Sequence, residues 1–302
     1  MKPLLRSSGD ILADRRADYA EMLFASGDHA AAAELMMGAL ELAPAWTMGW
    51  FRLGEMHEAA GAIDLAAKAW RMTLKLDPED RPGAALKLEL VGAAPVSAAP
   101  PGAFVEALFD QYAGTFDQSL VGKLGYRVPE LLRQAIDERG ERRFATAVDL
   151  GCGTGLMGER LRPVVDFLEG HDISAAMLKK AKAKGVYDRL VKSDLQSLAL
   201  PRASADLITS ADVFMYVGAL ERVFDSISVA LLPGGLFAFS VERHDGPEDF
   251  VLRPSRRYAH SQAYLLRLLQ ARDLTVAALG SATIRMDRGE RIEGITVLAE
   301  AA

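Results

Sequence analysis

The stretch from Val148 to Gly155 reads VDLGCGTG, and its surroundings from Ala147 to Leu161 read AVDLGCGTGLMGERL. An apolar run ends in an acid, glycines follow at three alternate positions, and an amphipathic stretch begins. That order describes a buried strand, a tight turn and a helix, the opening βα unit of a parallel sheet. Gly151, Gly153 and Gly155 allow positive φ and leave bare main chain against which a ligand can lie. Two ligand classes fit these residues, because Gly153, Gly155 and Gly158 also spell GxGxxG, the dinucleotide fingerprint. Charge weighs between them. A dinucleotide sets its anionic pyrophosphate near the helix N-terminus, where the carboxylate of Asp149 repels it, whereas a cationic ligand group is attracted. A plainer role for Asp149, capping the following turn, stays open.

Around this unit, short apolar runs alternate with amphipathic stretches, the pattern of a sheet covered on both faces. The expected strands are Thr146 to Leu150, Phe167 to His171, Arg189 to Lys192, Leu207 to Ala211, Gly235 to Val241, Thr275 to Ser281 and Gly294 to Ala299. The expected helices are Phe104 to Phe116, Val128 to Arg139, Leu156 to Arg162, Ala175 to Lys184, Leu220 to Leu232 and Ser261 to Arg272. The last two strands, joined through Arg288 and Gly289, read as an antiparallel hairpin at a sheet edge.

Two more acids fall at strand ends. Asp172, in EGHDISAAMLKKA, follows Gly151 by 21 positions and suits the end of the second strand, where a carboxylate accepts both ribose hydroxyls. It equally suits an N-cap for the helix beginning near Ser174. Asp194, in VKSDLQSL, ends the third strand, placed to accept from an adenine amino group while the Leu195 N–H donates to the ring; a surface turn is the alternative. A ribose acid is common to nicotinamide and adenosylmethionine cofactors, so it indicates adenosine without choosing. S-Adenosylmethionine, with an ammonium, a sulfonium and no phosphate, has the charge that suits Asp149.

From about Phe104 to the C-terminus the chain resembles the class I S-adenosylmethionine-dependent methyltransferases. VDLGCGTG matches the glycine loop of that family, and HDIS, SDLQSL, ADLITSADVFMYV and LLPGGLFAFS follow in its order and spacing. LFDQYAGTFDQSLVGKLGYRVPELL resembles the helical lid that many members place over the cofactor. The resemblance implies a Rossmann-like α/β fold with a seven-stranded mixed sheet, its last strand antiparallel, and S-adenosyl-L-methionine as cofactor. It implies Asp149, Gly151, Gly153 and Gly155 around the methionine portion, Asp172 at the ribose, and Asp194 with Leu195 at adenine. Ser210 to Asp212 would flank the methionine side, and Tyr112 and Phe116 would close over the cofactor, with core packing as their alternative. Ile173 and Cys152 are counted with this set, although Cys152, alone in the chain, also reads as small buried filler.

The first 80 residues repeat with a period of 34: Gly27 matches Gly61, Pro44 matches Pro78, Ala20 matches Gly54 and Ala32 matches Ala66. The period resembles the tetratricopeptide repeat, and helices are expected over Asp14 to Ser26, Ala30 to Leu42, Trp46 to Ala59 and Ile63 to Leu76, with Arg81 to Val91 as a cap. Such a domain, residues 1–91, reads as a partner-binding or dimerising surface or as a stabilising appendage. Gly92 to Gly102, GAAPVSAAPPG, has almost no large side chain to bury and reads as a linker, followed by the methyltransferase-like domain over 103–302. The net charge of −6 opposes a general grip on nucleic acid or anionic lipid. The single cysteine forms no internal disulfide, no apolar run reaches the ~18 residues of a membrane span, and MKPLLRSSGDILADRR interrupts its apolar start with charge. These features together give an expectation of a soluble cytoplasmic protein.

Methyl transfer needs alignment and exclusion of water more than a dedicated base. Where a base is used, the candidates are Tyr216, His244, Tyr258 and His260, expected in loops near the carboxyl edge of the sheet; each reads equally as a packing or surface residue. RPSRRYAH, with Arg253, Arg256 and Arg257, suggests either a hold on an acidic substrate or, more simply, a solvated charged loop. No HExxH, CxxC pair or histidine cluster points to a metal. The leading reading is methylation of a small molecule. Protein methylation guided by the repeats, nicotinamide-dependent oxidoreduction and a non-catalytic adaptor are the competing ones. Deleting Met1 to Pro100 is expected to leave a folded domain that binds S-adenosylmethionine; an insoluble or unfolded product by circular dichroism would show that the repeats complete its core.

Overall fold

The computed structural model describes residues 7–118, 124–287 and 289–302. The centre of the lid-like segment (119–123), Arg288 of the expected hairpin connection and the first six residues of the charged start lie outside the described residues. The chain divides into two compact units, Met1–Phe104 and Val105–Ala302.

The first unit is helical: α1 (Ile11–Ala25), α2 (His29–Leu42), α3 (Thr47–Ala59), α4 (Ile63–Leu76) and α5 (Ala84–Leu90). α1 and α2 begin earlier than their apolar spacing suggested because Asp10 and Asp28 are the caps, accepting from Leu12 and Ala13 N–H and from Ala31 N–H. Gly27 and Gly61 turn the two hairpins with φ of 90° and 76°. Ala13, Ala17 and Ala20 of α1 bury against Ala32, Met36 and Ala39 of α2, small side chains that let the axes approach. The second hairpin closes on Trp70, fully buried, whose indole N–H donates to Phe51 O at 3.2 Å. Arg52, 5% exposed, forks onto both oxygens of Glu21 at 2.7 Å and ties α3 to α1. The cap helix α5 starts at Ala84 rather than Arg81, after Gly83 at φ 77°, with Asp80 accepting from Ala84 and Ala85 N–H.

The boundary between the units falls in α6 (Gly102–Tyr112), and in the second unit the chain goes on to α7 (Val128–Asp137) and then to alternating strands and helices: β1 (Phe144–Leu150), α8 (Leu156–Leu161), β2 (Val165–Asp172), α9 (Ala175–Lys184), β3 (Arg189–Lys192), β4 (Ala205–Ser210), α10 (Glu221–Ala230), β5 (Leu231–His244), β6 (Phe250–Leu252), β7 (Tyr258–Ser261), α11 (Gln262–Gln270), β8 (Leu274–Asp287) and β9 (Glu290–Ala301). Strands β3-β2-β1-β4-β5 run parallel in that order, β9 pairs antiparallel with β5 and with β8, and the β6/β7 hairpin joins the far end of β5. The mixed Rossmann-like sheet and the antiparallel last strand match expectation; the strand count does not. Nine strands are present among the described residues, since β6 and β7, of three and four residues, are too short to leave a periodicity.

Two apolar layers cover the sheet. Leu150, Ile208, Phe237 and Phe239 face α10 and α11, with Phe237 stacked on Phe239 at 4.5 Å between ring centres. Ala147, Leu168, Leu207 and Leu236 face α7 and α8 on the other side. In the central strands β1 and β4 the residues facing these layers are apolar, and Asp149, Thr209 and Ser210 stand toward the carboxyl ends.

A test of the first unit follows from Gly54, where a Cβ would stand 2.2 Å from Trp70 Nε1 and 2.5 Å from its Cδ1. Gly54→Ala is expected to destabilise by about 1 to 3 kcal/mol through overpacking, read as a lower urea midpoint, despite the better helix propensity of alanine.

Candidate functional site

The turn after β1 is built as its glycines require. Gly151, Gly153 and Gly155 have φ of 65°, 53° and 95°, and the Cys152 N–H donates to His171 O at 2.9 Å, fastening the loop to the end of β2. A Cβ at Gly151 would overlap Val213, 2.4 Å from its Cγ2, whereas Gly153 faces open space bounded by Phe116 at 3.9 Å. Cys152 is 5% exposed, and burial beside Asp149 and Asp172 pushes its thiol well above its usual value, which suits a filler rather than a nucleophile.

Asp149 and Asp172 come together at the carboxyl ends of β1 and β2, paired strands in register. Asp149, 1% exposed, accepts from Tyr187 Oη at 2.6 Å and from Thr209 Oγ1 at 2.8 Å. Asp172, 9% exposed, accepts from Gly153 N at 2.8 Å and Ser174 N at 2.8 Å, so the ribose acid of the sequence reading is also the residue that pins the glycine loop. Burial pushes both carboxyls up to about 6, against the hydrogen bonds that pull them down. Among the described residues neither has a cationic partner; their donors are neutral hydroxyls and amides. The helix cap expected of Asp172 falls to Ser174, whose Oγ accepts from Met177 N at 3.1 Å.

The third acid follows the end of β3, the strand paired with β2. Ser193 N donates to Asp172 O at 3.0 Å, and Asp194 Oδ1 accepts from Gln196 N at 2.9 Å, opening the short 3₁₀ turn Leu195–Ser197. Ser210, fully buried at the end of β4, has no hydrogen-bond partner for its Oγ among the described residues. Over the loop lies the segment after α6, which ends at Tyr112 instead of Phe116. Its Phe116 packs edge-on to Phe109, and Phe109 edge-on to Tyr216, joining the lid to the turn after β4. Thr154 donates to Asp117 and Ser174 Oγ to Asp110, at 2.5 Å in the second case, so acids of the lid hold it down. Tyr112 is half-buried, and burial raises its phenol. Ile173, half-buried, follows Asp172 directly.

The four candidate bases are not loop residues as a set. His244 ends β5 and bonds Glu248 through Nε2 at 2.9 Å; Tyr258 and His260 are fully buried in β7; only Tyr216 lies in a turn, Phe214–Tyr216. His260 is pushed down to about 4 by burial, so it is neutral at pH 7, and its Nε2–H donates toward Val217 O and Gly218 O at 3.0 and 2.8 Å. That histidine is a strut. Arg257 overturns the solvated-loop reading of RPSRRYAH: it is 9% exposed, its Nε 2.9 Å from Glu242 Oε1, with Asp287 on its other side.

Sequence reasoning missed Tyr187, Thr209, Glu242 and Arg285. Tyr187 is signalled only by two glycines: a Cβ at Gly158 would lie 2.4 Å from its Oη and one at Gly170 2.9 Å from its Cε1. The last glycine of the apparent dinucleotide pattern is thus a packing requirement.

Residues 148–239 match a family model described as a methyltransferase domain. The chain is 30% identical over 139 residues to malonyl-[acyl-carrier protein] O-methyltransferase of Enterobacter lignolyticus, covering 46% of this chain and 55% of that one. It is 37% identical over 110 residues to trans-aconitate 2-methyltransferase of Deinococcus radiodurans, covering 35% and 41%. The chain spans about half the length of these curated relatives. Among solved structures, 1,6-didemethyltoxoflavin-N1-methyltransferase of Burkholderia thailandensis superposes with a TM-score of 0.54 at 18% identity, covering 69% of this chain and 92% of that one, a likeness of fold. The matched segment runs from the strand carrying Asp149 through the middle of β5, and so holds the glycine loop and all three strand-end acids. Residues 148–239 of the second unit thus match a methyltransferase domain, and the unit as a whole shares its Rossmann-like fold with a solved methyltransferase.

Proposed function

We propose that the chain is an S-adenosylmethionine-dependent methyltransferase acting on a small-molecule acceptor, with carboxylate-bearing molecules the first class to try. One observation carries the cofactor: Asp149 and Asp172 are buried together without a cation among the described residues. An anionic pyrophosphate would raise the cost of that arrangement, and a ligand with an ammonium and a sulfonium lowers it. A carboxylate offers about four acceptor positions and Asp172 spends two on Gly153 and Ser174, leaving two for ribose hydroxyls. Ser210 Oγ, buried and without a partner among the described residues, suits a polar group on the methionine side, and the open face of Gly153 suits close main-chain approach. Asp194 with Leu195 is assigned to adenine, and Tyr112 with Phe116 to closure.

When bound, S-adenosylmethionine supplies a methyl carbon activated by positive sulfur and open to in-line displacement. The residues of the chain then orient the donor, hold the acceptor opposite it and keep water out. Both relatives named above are called after acceptors that carry a carboxylate. An ionised carboxylate needs no base, which agrees with His260 being neutral and engaged with main-chain carbonyls. For the first unit we propose a tetratricopeptide-type domain that binds a protein partner or a second copy, supported by the period of 34 and by glycines at both hairpin turns.

The deciding experiment is calorimetric titration with S-adenosylmethionine and with NADH, followed by transfer of a labelled methyl group to a panel containing di- and tricarboxylic acids, acyl thioesters, amines and phenols. Binding of NADH without S-adenosylmethionine would end the reading, and label only in amines or phenols would end its carboxylate part. pH gives a second check. Both acids sit above their usual 3.8, so the folded chain holds protons that the unfolded chain has lost. Without ligand, stability from these groups is full below about pH 4 and drains away as pH rises through about 6. Affinity for the cationic ligand runs the opposite way, rising through the same window. Thermal melts at about pH 5 and about pH 7.5 should therefore show a larger shift on adding S-adenosylmethionine at the higher pH, and Asp172→Asn should flatten the difference.

A further inference from the structure

β4 ends at Ser210, and the next two residues make a turn in which Asp212 adopts φ 61°, a left-handed conformation that a non-glycine residue takes at a cost. The turn is held from several sides. Tyr126 Oη donates to Ala211 O at 3.1 Å, and Asp212 N donates to Ser240 Oγ at 2.9 Å. Val213 fills the space beside Gly151 that a Cβ would need. The Asp212 carboxylate takes Arg285 Nη1 on both oxygens, at 2.5 and 2.6 Å. Arg285 comes from β8, at a shift in register between Thr283 and Arg285 that re-aims the strand, and is 3% exposed. Its Nη2 donates to Glu242 of β5, itself 1% exposed.

Burying this much charge gains little net stability, because desolvation offsets the attraction. What the ion pair does accomplish is geometric: it is the contact that reaches the strained residue's side chain, and in the chain that residue lies between Ser210, whose Oγ has no partner among the described residues, and Val213, packed on Gly151. Resting on the methyltransferase reading, we propose that Arg285 is a positioning residue for methyl transfer, acting through Asp212 to hold the turn after β4 so that the acceptor side of the site is set before ligands arrive. Arg285 touches neither ligand in this proposal. A lysine at 285 keeps the charge but not the fork that serves Asp212 and Glu242 together, so the turn loosens while the glycine loop and its two acids stay in place.

The test uses the full chain. Arg285→Lys is expected to lower the transfer rate at saturating S-adenosylmethionine and acceptor about tenfold or more, with the dissociation constant for S-adenosylmethionine within about threefold of the unaltered chain. Since glycine takes φ 61° freely, adding Asp212→Gly to Arg285→Lys should recover at least about threefold of the lost rate, which a merely structural ion pair would not permit. Should Arg285→Lys prove too unstable to assay, Glu242→Gln carries the same question, since it weakens the hold on Arg285 without altering Asp212: a lower rate with the S-adenosylmethionine dissociation constant within about threefold agrees with the proposal, and an unchanged rate opposes it. An unchanged rate in Arg285→Lys, or affinity and rate falling together, overturns the proposal. Absence of S-adenosylmethionine binding by the unaltered chain removes the reading beneath it and the proposal as well.

Discussion

Two carboxylates buried at neighbouring strand ends, met only by neutral donors among the described residues, set the terms for the rest of this site. Asp149 needs the hydroxyls of Tyr187 and Thr209; Tyr187 in turn needs the absence of side chains at Gly158 and Gly170. Asp172 needs the Gly153 amide aimed at it, which fixes that residue at φ 53°. The glycine pattern is therefore the consequence of an electrostatic arrangement as much as of ligand approach. Neutral donors keep the acids in place without cancelling their field, and the remaining attraction is left for a ligand.

Acids elsewhere along the same row of strand ends are handled differently. Asp212 and Glu242 are paired with Arg285, and Glu242 lies beside Arg257, so their charge is consumed inside the protein. One side of the row attracts a cation and the other is a closed network that fixes backbone geometry. The two meet at Val213, packed on Gly151. In the proposed assignment, that division separates what binds the donor from what shapes the approach of the acceptor.

How far the sequence could be read depended on how local each cause was. The loop 148–155, the acids Asp172 and Asp194 and the helix α9 were legible because strand, turn and cap signals lie within a few residues of one another. The roles of Tyr187, Thr209 and Arg285 were not, since each is set by pairing with residues 38, 60 and 73 positions away. Asp149 was read as a ligand contact or a turn cap, and the structure gives it first to Tyr187 and Thr209. His260 looked like a base in a loop and is a buried strut in β7, because strands of three or four residues bear no visible alternation. Arg257 looked solvated for the same reason: a run of arginines says nothing of the acids that β5 and β8 bring to it.

The insertion of β9 between β5 and β8 has a temporal side. Residues 290–301 supply the inner strand of that half of the sheet, so until they leave the ribosome β5 and β8 each carry an open, hydrogen-bonding edge. The parallel half, β3-β2-β1-β4-β5, is complete in sequence some fifty residues earlier, whereas Arg285 can find Glu242 only once β9 joins their strands. Synthesis of this domain thus passes through a stage in which the parallel half has all its residues while the strand that closes the edges of β5 and β8 is missing, a window in which open edges favour pairing between chains.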